Sequence, residues 1–226
     1  MAKFIRKMQN MENGIFDGVG KYNIPFIKPF PKEEFEEDTQ WIDFHMATKS
    51  RTERGKIGVH FFVDDYQFER CWTSLNVYTR LLEQYKYVTS PDFSQYLDMP
   101  IAIRIYNHFR KHYLGAYWQN KGLKVIPTLG WTDIGSYDYC FDGEPKKSVV
   151  AISTQGNIKF PDLKQCFVSG YNELRNRLDP SLILIYGQLP PKEWGLDLSD
   201  TLAIPPFYEQ TKVRAKLRKN IIKLFK

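Results

Sequence analysis

Two kinds of hydrophobic pattern alternate along this chain. Residues 57–65 (IGVHFFVDD) form an unbroken apolar run that ends in two aspartates. Residues 123–131 (LKVIPTLGW), 148–156 (SVVAISTQG) and 181–187 (SLILIYG) are runs of the same kind, and 85–89 (YKYVT) is a shorter β-prone one. Between them the apolar period changes. Leu75, Tyr78, Leu81 and Leu82 mark a helix over about 68–83. After Pro100, at N1, Ile101, Ile105, Phe109, Tyr113, Ala116 and Tyr117 recur at steps of three and four as far as Gly122, which predicts a long helix. A third helix covers 162–178 and stops at Asp179-Pro180. Strands that are apolar throughout belong to a parallel sheet buried on both faces. Strands alternating with helices give βαβ units with right-handed crossovers. The fold class is α/β, read as an incomplete (β/α) barrel-like parallel sheet, with an open doubly wound sheet as the alternative.

The flanks differ. Pro25, Pro29 and Pro31 interrupt YNIPFIKPFPKEEFEED, so residues 1–56 read as an irregular arm or lid that packs aromatics onto the body. Residues 57–208 form the α/β core domain. Late in it, two Pro-Pro pairs place extended segments across the body. Residues 209–226 form a basic C-terminal tail, helical on the stripe of Val213, Leu217, Ile221 and Leu224.

Charge sharpens this division. The net charge is +6, but residues 212–226 carry seven Lys and Arg and no acid, which leaves the rest near −1. The basic character therefore belongs to the tail. Lys212, Arg214, Lys216, Arg218 and Lys219 are the candidate contacts to DNA or RNA. Three cysteines without a CxxC spacing point to a reducing compartment rather than a zinc or redox motif. No stretch reaches the roughly 18 apolar residues of a membrane span, and no signal h-region follows the N-terminus. The expectation is a soluble, cytoplasmic protein.

Ligands of parallel α/β folds bind at the carboxyl ends of the strands. This rule selects Asp64, Asp65, Asp92 and Asp133 as candidate catalytic carboxylates. Asp64, Asp65 and Asp92 could hold Mg or Mn, which favour oxygen ligands. A pair with pKa values pushed apart could serve as general acid and base. Asp92 in SPDF and Asp133 in GWTD could equally cap helices or turns. The same rule selects Ser90, Trp131, Ser153, Thr154 and Tyr186 as ligand contacts, with Trp131 a stacking platform for a base or sugar. His108 and His112 have the spacing of a helical metal pair, but HExxH is absent and a packed helix face is the preferred reading. His60 reads as a core or barrel-interior histidine, and Cys71 and Cys140 as buried structural residues.

VHFFVDDYQFERCW, SPDFS, LGAYWQNKGLKVIPTLGW, the FDG at 141–143, SVVAISTQG and PPFYEQ together resemble the DUF4417 family of bacteria, phages and other mobile elements. The resemblance covers about two-thirds of the chain, residues 58–208. It implies a phage, plasmid or prophage origin and assigns no catalytic role. Three functional readings follow: a nucleic-acid-associated accessory protein of a mobile element, a carboxylate- or metal-dependent hydrolase acting at the strand ends, and a module that binds a host or phage protein.

Overall fold

The structure, a computed structural model, describes residues 9–49, 53–155 and 161–205. Strands β1 (Gly18–Val19) and β2 (Ile24–Pro25) form a small antiparallel hairpin. Seven parallel-sheet strands follow: β3 (Gln40–Asp43), β4 (Ile57–His60), β5 (Tyr87–Thr89), β6 (Val125–Ile126), β7 (Val149–Ser153), β8 (Leu182–Tyr186) and β9 (Thr201–Ile204). Their spatial order is their chain order. β3-β4-β5-β6 form one parallel sheet and β7-β8-β9 another. A parallel bridge between Thr128 and Ala151 links the two. Sequential order without a reversal is that of a (β/α) barrel, not of a doubly wound sheet. Among the described residues β9 pairs only with β8, so the barrel stays open.

The apolar runs now divide by face. Trp41, Phe62, Tyr87, Ile126, Val149, Ala151, Leu182, Leu184, Tyr186 and Ile204 pack together in the interior. Their neighbours Ile42, Val59, Phe61, Val88 and Val125 pack outward against the helices α1 (Phe44–Ala47), α2 (Arg70–Thr73), α3 (Leu75–Leu82) and α4 (Ile101–Asn120). Val150, Ile152, Ile183 and Ile185 pack on α5 (Pro161–Leu178) through Phe167, Tyr171 and Leu174. Both faces are buried, so period-two alternation is present in space and invisible in polarity. In β4, Gly58 lies opposite Trp41, and a Cβ there would sit 2.7 Å from the indole ring.

The segment expected to be an irregular arm contributes β3, the first barrel strand. Just before it, Phe30 and Phe35 plug the amino-terminal end of the barrel against Tyr87. Tyr87 donates its hydroxyl to the Glu34 carbonyl at 2.7 Å, and Val149 N–H donates to the Phe30 carbonyl at 2.9 Å. The late extended segment likewise contributes β9. The helix expected over 68–83 is broken at Ser74 (φ −135°, ψ 50°) into α2 and α3. Pro100 is the N-cap of α4 rather than N1, within the usual one-residue latitude of helix ends. Ile101, counted on the buried stripe of α4, is 48% exposed, whereas Asn107, His108, Arg110, Lys111 and His112 are buried. The second half of α4 is thus enclosed on all sides and takes polar groups with it. Among the described residues no helix is long and apolar enough to cross a membrane. Lys212, Arg214, Lys216, Arg218 and Lys219 lie outside the described residues.

Candidate functional site

A cavity of about 400 Å³ opens at the carboxyl ends of the strands. Asp64 reaches it from the loop after β4, Asp92 to Tyr96 from the loop after β5, Gly130 and Trp131 from the loop after β6, and Ser153 and Gln155 from the end of β7. Phe62, Phe93 and Phe167 add apolar wall. Its size suits a small ligand, and a mixed polar and aromatic lining is the usual composition of such sites.

Several contacts fix these loops. Asp65 does not line the opening; it accepts from Ser94 N–H at 3.1 Å and from Ser94 Oγ at 2.7 Å. Asn107 of α4 donates to the Ser94 carbonyl at 2.6 Å. The Arg110 guanidinium lies 3.9 Å from the Phe93 ring centroid and binds Glu69 at 2.6 Å. The loop between β5 and α4 is therefore held from two sides before any ligand arrives, which is the preorganisation a binding site requires. Trp131 is held by a hydrogen bond from Nε1 to the Cys166 carbonyl at 3.0 Å and by Phe167, 5.7 Å away between ring centroids.

Asp92 is the chemically distinctive group. Its side chain keeps some exposure, but burial pushes its carboxyl up to about 7. The Lys111 ammonium opposes that rise and the Asp65 carboxylate adds to it. Asp64 is exposed at the rim. A carboxyl of pKa about 7 can both give and take a proton near neutral pH.

The expected site residues separate into two sets. Asp64, Asp92, Trp131 and Ser153 share the cavity. Asp65 stands beside it, committed to Ser94. Asp133 does not line it: its carboxylate caps the turn at 134–138 by accepting from Ser136 N–H at 3.1 Å. Ser90 is fully buried, and its Oγ accepts from Thr128 N–H at 2.8 Å to join β5 to β6. Thr154 donates to the Gln188 carbonyl at 2.7 Å. Tyr186 is buried in the interior, stacked 5.1 Å from Phe62. His60 is an interior residue, with its ring 4.3 Å from Tyr186. Burial lowers its pKa to about 3, and its Nε2 lacks a partner. Cys71 and Cys140 are buried free thiols. Burial raises both pKa values, Cys140 to about 12, which suits a structural role.

The sequence reading singled out neither Lys111 nor Glu144, both buried and paired at 2.6 Å. Lys111 also donates to the Thr128 carbonyl at 2.7 Å, just behind the cavity wall. Among the described residues the group of His, Cys, Asp or Glu able to gather on one cation is His108, His112 and Glu144, rather than the aspartates of the mouth.

One expected outcome tests how the wall is built. A Cβ on Gly170 of α5 would lie 2.1 Å from Trp131 Nε1. Gly170→Ala therefore forces the indole out of place, breaks its bond to Cys166 and costs about 1–3 kcal/mol. The Trp131 indole N–H resonance should move further than those of the other four tryptophans. An unmoved resonance would show that the wall yields elsewhere.

Fold and cavity together define the class: an open parallel α/β chain with a pocket at the carboxyl ends of its strands. The chain belongs to the family described as a domain of unknown function (DUF4417), which matches residues 16–201. It is similar to the Gene 1 protein of Mycobacterium phage L5, with 35% identity over 204 residues, 86% of this chain and 83% of that protein. It is also similar to the Gene 1 protein of Mycobacterium phage D29, with 43% identity over 135 residues, 58% of this chain and 48% of that protein. No solved structure matches it. These relatives are phage proteins, in keeping with the mobile-element setting that the resemblance implies.

Proposed function

We propose that this chain is a phage-type hydrolase acting by proton transfer on a small substrate with a planar or sugar ring. Asp92 is the acid–base group, Asp64 the second carboxyl, and Trp131 the surface against which the ring rests. The observation that carries this reading is a carboxyl of pKa about 7 in the wall of a 400 Å³ cavity at the strand carboxyl ends. Perturbed carboxyls gather at functional sites because general acids and bases need pKa values near the working pH. Mg or Mn between Asp64 and Asp92 would be an addition to this site, not its basis, since Asp65 is committed to Ser94.

The test is a screen of nucleosides, nucleotides and sugars by chemical-shift change in the full chain. A hit should shift Trp131 and Ser153, and hydrolysis of it should be lost in Asp92→Asn. If ligands bind but Asp92→Asn hydrolyses them at the wild-type rate, Asp92 is not the acid–base group. If none perturbs the cavity, the reading fails. Titration with Mg²⁺ in the same experiment decides the metal question.

Nucleic-acid association is a second reading, favoured by the seven basic residues of 212–226. It requires binding that weakens steeply with salt. Loss of that binding on truncation after Glu209 would support it, and unchanged binding would remove the tail from the account.

A further inference from the structure

Behind the cavity wall, α4 and the loop at 141–144 enclose a polar group that neither hydrolysis nor proton transfer at Asp92 uses. His108, His112 and Glu144 are buried, and one ligand atom from each lies within 4.8 Å of the others. The two imidazole centroids are 4.4 Å apart.

Their hydrogen bonds leave an imbalance. His112 Nδ1 is 2.8 Å from the Pro25 carbonyl, and Nε2 is 3.0 Å from Glu144 Oε1. Both neighbours are acceptors. A neutral imidazole has one N–H and can serve only one of them. Glu144 Oε1 already accepts from Lys111 Nζ at 2.6 Å, which leaves the His112 proton on Nδ1, toward the Pro25 carbonyl. His108 has an acceptor on one side only. Its Nε2 is 3.0 Å from the Asp142 carbonyl, so that nitrogen carries the proton. Its Nδ1 is then a buried lone pair, and it has no partner. Glu144 Oε2 is likewise buried without one.

We propose that His108, His112 and Glu144 form a binding site for a divalent transition-metal ion, zinc foremost. Metal-binding histidines usually donate their other ring nitrogen to a carbonyl or carboxylate, which fixes the tautomer and aims the lone pair. Pro25 and Asp142 stand where such carbonyls belong. Two imidazoles and one carboxylate favour zinc, iron or nickel over magnesium or calcium. The ion would tie the β2 arm and the loop at 141–144 to α4. Lys111, bonded to Glu144 Oε1 at 2.6 Å, competes for the same carboxylate and weakens the site.

The test uses the full chain, dialysed against chelator and titrated with Co²⁺ and then Zn²⁺. One equivalent of Co²⁺ should give visible ligand-field absorption that Zn²⁺ abolishes, and Zn²⁺ should raise the melting temperature. His108→Gln should weaken Co²⁺ binding by about tenfold or more, whereas Asp64→Asn should leave it unchanged. The wild-type titration decides the matter even if His108→Gln does not fold. Absence of both the Co²⁺ band and the Zn²⁺-dependent melting shift would overturn the site. So would loss of Co²⁺ binding in Asp64→Asn, because the ion would then sit at the mouth. A ¹⁵N spectrum showing His112 protonated on both nitrogens at neutral pH in the metal-loaded chain would replace the ion with a proton.

Discussion

Asp92→Asn stabilises the fold above pH 7, and the gain disappears in acid. The Asp92 carboxyl titrates near 7 in the folded chain against an ordinary value of 3.8. Between those values the folded chain keeps a proton that the unfolded chain releases. Stability therefore falls as pH rises from about 4 to 7, and the full penalty persists above 7. Below 3.8 both states are protonated and the penalty vanishes. A rise from 3.8 to about 7 corresponds to about 4 kcal/mol, and the partial exposure of the side chain reduces this to on the order of 2–4 kcal/mol. Asparagine has nearly the same shape and no charge to bury. Urea unfolding at pH 8 should show the variant more stable by that margin, and unfolding at pH 4 should show the two proteins nearly equal. A difference that does not change between the two pH values would mean that the carboxyl is not shifted. The same substitution should abolish turnover under the proposed function. A side chain that weakens the fold and lines its cavity fits the usual exchange of stability for activity.

The fold was legible where physics repeats. β4, β7 and β8 lie inside apolar runs because each must be dry on both faces. β3 was not legible. Gln40–Asp43 has only Trp41 and Ile42 as apolar residues, one facing in and one out, and it follows a proline-rich stretch that signals irregular chain. β9 was hidden in the same way, between two Pro-Pro pairs.

The site was half legible. Strand ends pointed to Asp64, Asp92, Trp131 and Ser153, because parallel strands all deliver their following loops to one rim. They pointed equally to Asp133, whose side chain caps a local turn, and Thr154, whose hydroxyl is taken up by the backbone of the neighbouring strand end. No spacing rule separates a capping aspartate from one that faces a cavity. Glu144 lies 32 residues from His112, so the third member of that group comes from tertiary structure and leaves no motif. The hints the chain did carry were the i, i+4 spacing of His108 and His112 and the density of polar residues at 107–112.

Lys111→Met, measured in chelator, should destabilise the chain by about 3–5 kcal/mol, the usual penalty for leaving one member of a buried ion pair without its counter-charge. Both side chains are nearly inaccessible, at 3% and 0% exposure, so water cannot replace the ammonium. The loss also leaves the Thr128 carbonyl, next to the strand end, without its Lys111 donor. Glu144→Gln placed in the Lys111→Met background should recover much of the deficit, because an amide needs no counter-ion. If the double variant is as unstable as the single one, the deficit comes from lost packing rather than from charge. Two further readings follow from the same substitution. Lys111 holds the Asp92 pKa down, so its removal should raise that pKa above 7. It also frees Glu144, so Co²⁺ should bind the variant more tightly than the parent. A single ammonium thus links the Asp92 carboxyl at the mouth to the histidine cluster behind it.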